Sequence, residues 1–480
     1  MTDASNAVTD PSAADAAGPR TGDAVRHRGR RRVDGDDRTV ARGRSSSVGD
    51  WIAAAVLALL AAALLWYRLG PVTRSIVWAE DSGRFLNERL QLGPVASLLH
   101  HYEGYLHLVP RIVVDVAVAI SPIEAYSTTI AALSCAITGL VCAAVWLLAR
   151  DVVRAPALRA VLALVPVVTP LVPVEIGGNT ANLHWYMLFL APWVFAFRPR
   201  SWWSSAALTI VALVITLTEI QAALFLPLFL LHLRNVRSAP VVVAGALGVG
   251  AQLLTAVLYP RTDTHGNTGL VDLLAGFFAQ PVAAMWDPDV HRVGAEILAH
   301  GWWVVLAPGA VLIALLVLTL FLRGGDARWM AVALVVAPVA VWVAALTVNN
   351  GLSTWTTFTA AQFDRLSPYR YAAAASMFLL AAVVVVADTF IARRGIVLPT
   401  VGWLLVAGVV ATSVLNVHVP TRREERQVPP WSTQVQQARP GCEETPDGSA
   451  TVRAAPGVPK WDAVLPCALV LSDGGALVLR

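Results

Sequence analysis

Two short stretches hold most of the reactive side chains: Trp78-Ala79-Glu80-Asp81-Ser82-Gly83-Arg84-Phe85, and Tyr102-Glu103-Gly104-Tyr105-Leu106-His107-Leu108-Val109-Pro110-Arg111. An adjacent carboxylate pair followed by a dense aromatic, His and Arg cluster supplies a proton acceptor, cations for an oxyanion and rings that stack on a cyclic ligand. Asp81 is the expected base, with Glu80 raising one carboxyl pKa by like-charge repulsion. The same pair read as hard oxygen ligands would hold a divalent ion. One pair without further Asp-x-Asp spacing makes that the weaker reading, so neither a metal nor another cofactor is assigned. These residues lie between apolar runs, where desolvating a charge is costly and seldom kept without use. A catalytic loop on a membrane enzyme is therefore expected.

The elements that must position this loop follow from composition. Hydrophobic residues make up 56% of the 480-residue chain and charged residues 14%, with a mean hydropathy of +0.61, which no soluble domain shows. Apolar runs of roughly 15 to 25 residues recur from Trp51 to Leu415, each long enough to cross a hydrocarbon core of about 30 Å. The expected fold is an all-α polytopic membrane protein with about eleven transmembrane helices. They are placed near 51–67, 126–149, 157–175, 184–197, 203–217, 220–233, 239–258, 302–322, 329–348, 371–391 and 397–415. Residues 1–50 contain no aromatic residue and read as a disordered cytoplasmic tail. They also lack the apolar stretch of a cleaved signal peptide, so the first span is a retained helix. Residues 51–415 form the transmembrane domain, with 68–125 as its first outer loop, and 416–480 form an extracytoplasmic segment.

Orientation is read from the connections rich in Arg. Those holding Arg150, Arg154 and Arg159, then Arg198 and Arg200, then Arg234 and Arg237, then Arg323 and Arg328, then Arg393 and Arg394 all fall on one side, taken as the cytoplasm. The stretch 105–121 is apolar but carries His107, Arg111 and Asp115 and is broken by Pro110. A crossing there would invert every later Arg-rich connection, so it is expected as an interfacial or re-entrant helix on the outer face, with Arg111 and Asp115 in i, i+4 register. The odd number of spans puts the C-terminus outside. There Cys442 and Cys467, flanking Pro- and Gly-rich sequence, are expected to bond and to staple a small β-rich appendage. The location implied is the plasma membrane, multi-pass.

With this topology the remaining polar residues gather on the outer face: Glu175, Asn182 and His184 around the third and fourth spans, Glu219 between the fifth and sixth, Arg261 in the next outer loop, and Tyr369 and Arg370 before the tenth. Arg370, Arg261 and Arg111 are the candidate phosphate ligands, because a guanidinium grips phosphate oxygens with two hydrogen bonds, and His184 assists. Glu175 and Glu219 each border apolar sequence, where keeping an acid is costly. Tyr102, His107, Asn182, Trp185, Glu219 and Tyr369 are candidate substrate contacts, the aromatic ones by stacking on a sugar ring. The Gly-rich stretch Gly245-Ala246-Leu247-Gly248-Val249-Gly250 lies inside a span and lacks the strand-turn-helix context of a nucleotide fold. The net charge of +4 comes almost wholly from Arg, without a basic domain, so nucleic acid is not an expected partner.

The layout of Glu80-Asp81 after the first span, an interfacial helix at 105–121 and Glu175 on the following outer loop resembles the GT-C class of polyprenyl-phosphate-sugar glycosyltransferases. That class includes the protein O-mannosyltransferases and the lipid A aminoarabinose transferases. The resemblance covers about residues 51–260, although the acid order is Glu-Asp where the class more often has Asp-Glu or Asp-x-Asp. It implies a GT-C-like fold, Glu175 as a second catalytic acid beside Glu80 and Asp81, a polyprenyl-phosphate-sugar donor and a cell-envelope glycan, lipid or protein as acceptor, with the bilayer as surroundings. The rivals are a transporter or flippase of a lipid-linked glycan, which would show broken helices at mid-membrane and an internal repeat, and a non-catalytic envelope-assembly protein, which would tolerate loss of Asp81.

Overall fold

Among the described residues, seven helices are long and apolar enough to cross a membrane: Val48–Ser75, Ile123–Asp151, Val236–Leu258, Trp303–Leu322, Gly325–Val348, Arg370–Ile391 and Val397–Leu415. The computed structural model describes residues 47–261, 268–348, 354–366, 370–418 and 428–472, so the expectation for the tail 1–50 falls, up to residue 46, outside the described residues. Several of the long helices turn apolar side chains outward, among them Leu59, Leu247, Leu254, Ile313, Phe321 and Leu404. An apolar belt of that kind is a surface made for lipid. The protein is a helical, polytopic membrane protein.

Individual elements depart from expectation for local reasons. The first helix begins at Val48, three residues early, because Ser47 and Asp50 form a reciprocal capping box. It continues past 67 to Ser75 across a kink at Gly70-Pro71, where Gly70 has φ 66°. The expected span 157–175 is cut to Pro156–Val168: Thr169 and Val172 each precede a proline, which disfavours the helical region for both, and the chain turns over 169–178 instead. Its freed carbonyls at Val167, Thr169 and Pro170 accept from the buried guanidinium of Arg68, which also reaches the carbonyls of Asn416 and Val417. The expected spans at 184–197 and 203–217 are helices Leu183–Phe195 and Trp202–Thr216, about 20 to 22 Å long at 1.5 Å per residue. Ile220–His232 winds as a 3₁₀ helix around Pro227 and reaches about 26 Å because of its greater rise. The connection read as one outer loop, 259–301, contains Leu270–Phe277 and Val290–His300. The first of these packs among the long helices: Trp342 donates to the Leu273 carbonyl at 2.9 Å.

Arg370–Ile391 is the central element. Every residue from Ala372 to Phe390 is buried, which is what an all-round apolar helix requires. The Arg-bearing connections meet at one end of the bundle, where Arg200 pairs with Asp151 at 2.9 Å, Arg198 with Asp326 at 2.8 Å, Arg323 with Asp388 at 2.6 Å and Arg159 with Asp50 at 3.2 Å. The first loop, the C-terminal appendage and the start of Arg370–Ile391 meet at the other end.

The appendage consists of helix Trp431–Glu444, an antiparallel strand pair Ser449–Val452 and Ala463–Pro466, and the short helix Cys467–Leu471. The apolar run 468–471, expected as part of a β-rich unit, is thus helical. Cys442 and Cys467 are disulfide-bonded, while Cys135 and Cys142 are buried free thiols. Trp431 is fully buried and donates to the Ile123 carbonyl at 2.7 Å, and Arg439 pairs with Glu124 at 2.9 Å. The appendage is therefore seated on the first loop.

Candidate functional site

At the end away from the Arg-rich connections lies a cavity of about 480 Å³. Its walls come from segments far apart in the chain: Glu80 and Phe85, the turn 102–105, His107, the start of Leu183–Phe195, Glu219 and Gln221, Arg261, Arg370 and Tyr371, and Lys460-Trp461 of the appendage.

The acid pair is split by its backbone. Ala79 has φ 27°, a region costly for a residue with a Cβ and kept only where the surroundings enforce it. Its N–H donates to the Ala455 carbonyl at 2.6 Å, and the Ala455 N–H returns a bond to Val77 at 2.9 Å. Beyond this corner Glu80 lines the cavity, whereas Asp81 does not and is fully buried. One Asp81 oxygen accepts from the Thr180 N–H at 2.8 Å, and the other from the Thr180 hydroxyl at 2.6 Å and the Ala181 N–H at 2.7 Å. Burial pushes this carboxyl up to about 7, against three donors that favour its charged form, and repulsion by Glu80 adds least. A pKa near neutrality suits a base, but geometry comes first, and both oxygens are occupied. Asp81, expected as the base, instead ties the first loop to the segment 179–182.

That clamp gives a prediction. In Asp81→Asn the new NH₂ replaces one acceptor oxygen and faces a buried N–H, so the variant should lose about 1 to 3 kcal/mol of stability. A lowered unfolding temperature of the purified protein checks it. Unchanged stability with lost activity would return Asp81 to the role of base.

Segment 175–182 is held internally. Asn179 donates to the Glu175 carbonyl at 2.5 Å and accepts from the Asn182 side chain at 2.8 Å, and Asn182 accepts from the Trp185 indole at 3.2 Å. Asn182 and Trp185 thus line the cavity with their polar atoms already engaged. Glu175 is not part of the cavity wall and reaches Arg370 at 3.6 Å. Arg370 also lies 3.3 Å from Glu80, with its side chain 32% exposed. The guanidinium is therefore positioned by two carboxylates and open to the cavity.

His184 and Glu219 form a direct imidazole–carboxylate pair through Nδ1 and Oε2. Glu219 is fixed in turn as the cap of the 3₁₀ helix, its other oxygen accepting from the Gln221 N–H at 2.7 Å. With Nδ1 held by a carboxylate, Nε2 is the nitrogen left to take a proton, the orientation by which such a pair makes a general base. The two residues were expected as separate contacts, 35 positions apart in the chain.

Tyr102 and Tyr105 bracket a tight turn in which Glu103 and Gly104 both have positive φ, 50° and 79°, as a type I′ turn demands. The two tyrosines exchange backbone bonds at 3.0 and 3.2 Å. Burial pushes both phenols upward, so they stay protonated and can donate. The buried His107 packs against Tyr105, 4.1 Å between centroids, and burial, then His184 and Arg111, hold it neutral. His107 thus reaches the cavity as an uncharged ring. The Leu106 backbone beside it is fixed by both ends of the Gln252 side-chain amide, at 2.8 and 3.1 Å.

Of the expected phosphate ligands, Arg261 and Arg370 reach the cavity and Arg111 does not. Helix Leu108–Ile120 forms near the expected 105–121, but its Arg111–Asp115 pair does not. Arg111 is buried against Glu88 at 2.6 Å and over the Phe85 ring at 5.1 Å, while Asp115 pairs with Arg89. Both charges brace the short helix Asn87–Leu92 against Leu108–Ile120. Tyr369 lies outside the described residues. Among the described residues no three His, Cys, Asp or Glu side chains gather as a metal site.

Sequence reasoning missed Thr180 and Ala181 as the partners of Asp81, and Lys460 and Trp461 as cavity wall. Lys460 is the only lysine in the chain, a scarcity that by sequence alone reads as codon bias. No protein-family model matches this chain, and no curated protein or solved structure matches it either.

Proposed function

We propose that this protein is a GT-C type membrane glycosyltransferase that moves a sugar from a polyprenyl-phosphate donor to a cell-envelope glycan, lipid or protein. The observation that carries this reading is one cavity lined by an oriented imidazole–carboxylate pair, a guanidinium held between two acids, and several aromatic side chains. In the reaction the acceptor hydroxyl oxygen attacks the anomeric carbon while the bond from that carbon to the phosphate oxygen breaks. The electron pair leaves with the phosphate, which Arg370 neutralises, and the hydroxyl proton passes to His184 Nε2.

On this reading the Arg-rich end is cytoplasmic by the positive-inside rule and the cavity lies on the outer face of the plasma membrane, with eleven crossings when Pro156–Val168, Leu183–Phe195, Trp202–Thr216 and Ile220–His232 are counted with the seven long helices. Nucleotide sugars are not supplied on that face, whereas a lipid-linked donor enters from the bilayer. A carrier for the same lipid would need a polar path through the bundle. Below Arg370 and Tyr371 the central helix instead continues as buried Ala372–Ala375, which favours an enzyme. The test is a reconstituted assay offering polyprenyl-phosphate hexoses and pentoses alongside the corresponding nucleotide sugars. Turnover is expected with a lipid-phosphate sugar. Turnover with a nucleotide sugar and with none of the lipid donors would refute the mechanism.

A further inference from the structure

We propose that the disulfide-bonded C-terminal appendage is a working wall of the binding site, in which Lys460 and Trp461 take the phosphate and the sugar ring of a lipid-linked phosphosugar. The inference rests on the donor class argued above, but its own ground is the seating of the appendage. Gly83, two residues after Asp81, leaves no room for a side chain: a Cβ there would lie 2.4 Å from the Trp461 Cα and 2.7 Å from the Lys460 carbonyl oxygen. Asn87 then locks the same segment, donating to the Asp462 carbonyl at 3.1 Å and accepting from the Val464 N–H at 3.0 Å. On the other flank Ala455 holds the positive-φ corner at Ala79 that precedes Glu80.

The appendage thus does two things at once. It fixes the backbone that separates Glu80 from Asp81, and it brings a cation and an indole into the same cavity as Arg370 and His184. The Lys460 ammonium rests 4.7 Å from the centre of the Trp461 ring, so the pair presents a positive charge beside an aromatic face. That combination suits a ligand bearing an anionic phosphate next to a sugar ring. Lys460 adds a third cation to a cavity in which Arg370 already faces two carboxylates and Arg261 lies 3.4 Å from Glu103.

The experiment measures binding to the purified full-length protein in lipid nanodiscs, with radiolabelled polyprenyl phosphate and polyprenyl-phosphate hexose as probes. Loss of one charge-assisted contact should make Lys460→Ala bind both probes roughly tenfold more weakly, with Lys460→Arg recovering most of the loss. Trp461→Ala should weaken the hexose-bearing probe and leave bare polyprenyl phosphate unchanged. Closure of the Cys442–Cys467 bond, read by maleimide labelling with and without reductant, shows that each variant keeps its appendage folded. Equal binding by Lys460→Ala and wild type overturns the proposal, as does wild-type protein that binds neither probe. Competition by phosphatidylglycerol as effective as by polyprenyl phosphate would assign Lys460 to bilayer headgroups, and competition by inorganic phosphate alone would assign it to a free anion; either result overturns the proposal. Lys460-dependent binding without sugar transfer would leave this inference standing while removing the transferase reading.

Discussion

Glu219→Gln should lower turnover by about 10²- to 10⁴-fold, the range that a positioned general base contributes. The carboxylate of Glu219 holds His184 Nδ1 and so favours the neutral tautomer in which Nε2 is the nitrogen that accepts. An amide in its place keeps the contact with the Gln221 N–H but turns an NH₂ toward Nδ1. That selects the tautomer with its proton on Nε2, which cannot accept another. His184→Ala should fall by a similar factor, and the double variant should be little worse than either single one, because the pair acts as a unit. Substrate KM should change far less than kcat. A Glu219→Gln enzyme with undiminished kcat would remove the pair from the chemistry and leave Glu80 or Glu103, the other carboxylates on the cavity wall, as the base.

The second large effect belongs to Arg370. Losing a charge-assisted phosphate contact is worth on the order of 1.5 to 3 kcal/mol, so Arg370→Ala should weaken donor use by roughly ten- to a hundredfold. The structure adds a reason for the upper end. Without the guanidinium, Glu80 on the cavity wall and Glu175 behind it are left with no counter-charge between them. Arg370→Lys should recover part of the loss, since a point charge cannot serve two carboxylates and a phosphate with the geometry of a planar fork. Arg370→Ala combined with Glu80→Gln should restore some donor affinity if repulsion by Glu80 is part of the defect. Donor KM and kcat measured separately decide the matter. An unaffected Arg370→Ala would shift the phosphate role to Arg261 or Lys460, and not to Arg111, which is buried against Glu88.

The class of molecule was legible without coordinates, because hydropathy is a local property: a run of apolar residues needs a hydrocarbon environment whatever else the chain does. The grouping of Arg-rich connections at one end was legible for the same reason, each connection carrying its own charges. Local chemistry also announced the reactive stretches at 78–85 and 102–111 and the pair Cys442 and Cys467. The length of the short helices was decided one level up, where the Thr169-Pro170 and Val172-Pro173 steps end a helix inside an otherwise uninterrupted apolar run.

Which reactive residues face one another was decided only by tertiary structure. Glu80 and Asp81 are neighbours in the chain, yet the positive φ at Ala79, held by Ala455 more than 370 positions away, turns one into the cavity and buries the other. Arg111 and Asp115 had helical register for a mutual pair, and a second short helix offered each a better-placed partner. His184 met Glu219, and Lys460-Trp461 met Gly83, through the packing of segments that no sequence window contains. Periodicity reports which face of an element is apolar. The partner that satisfies a buried charge depends on what the rest of the chain brings within hydrogen-bonding distance, and for a cavity walled by residues from 80 to 461 that is a property of the folded bundle.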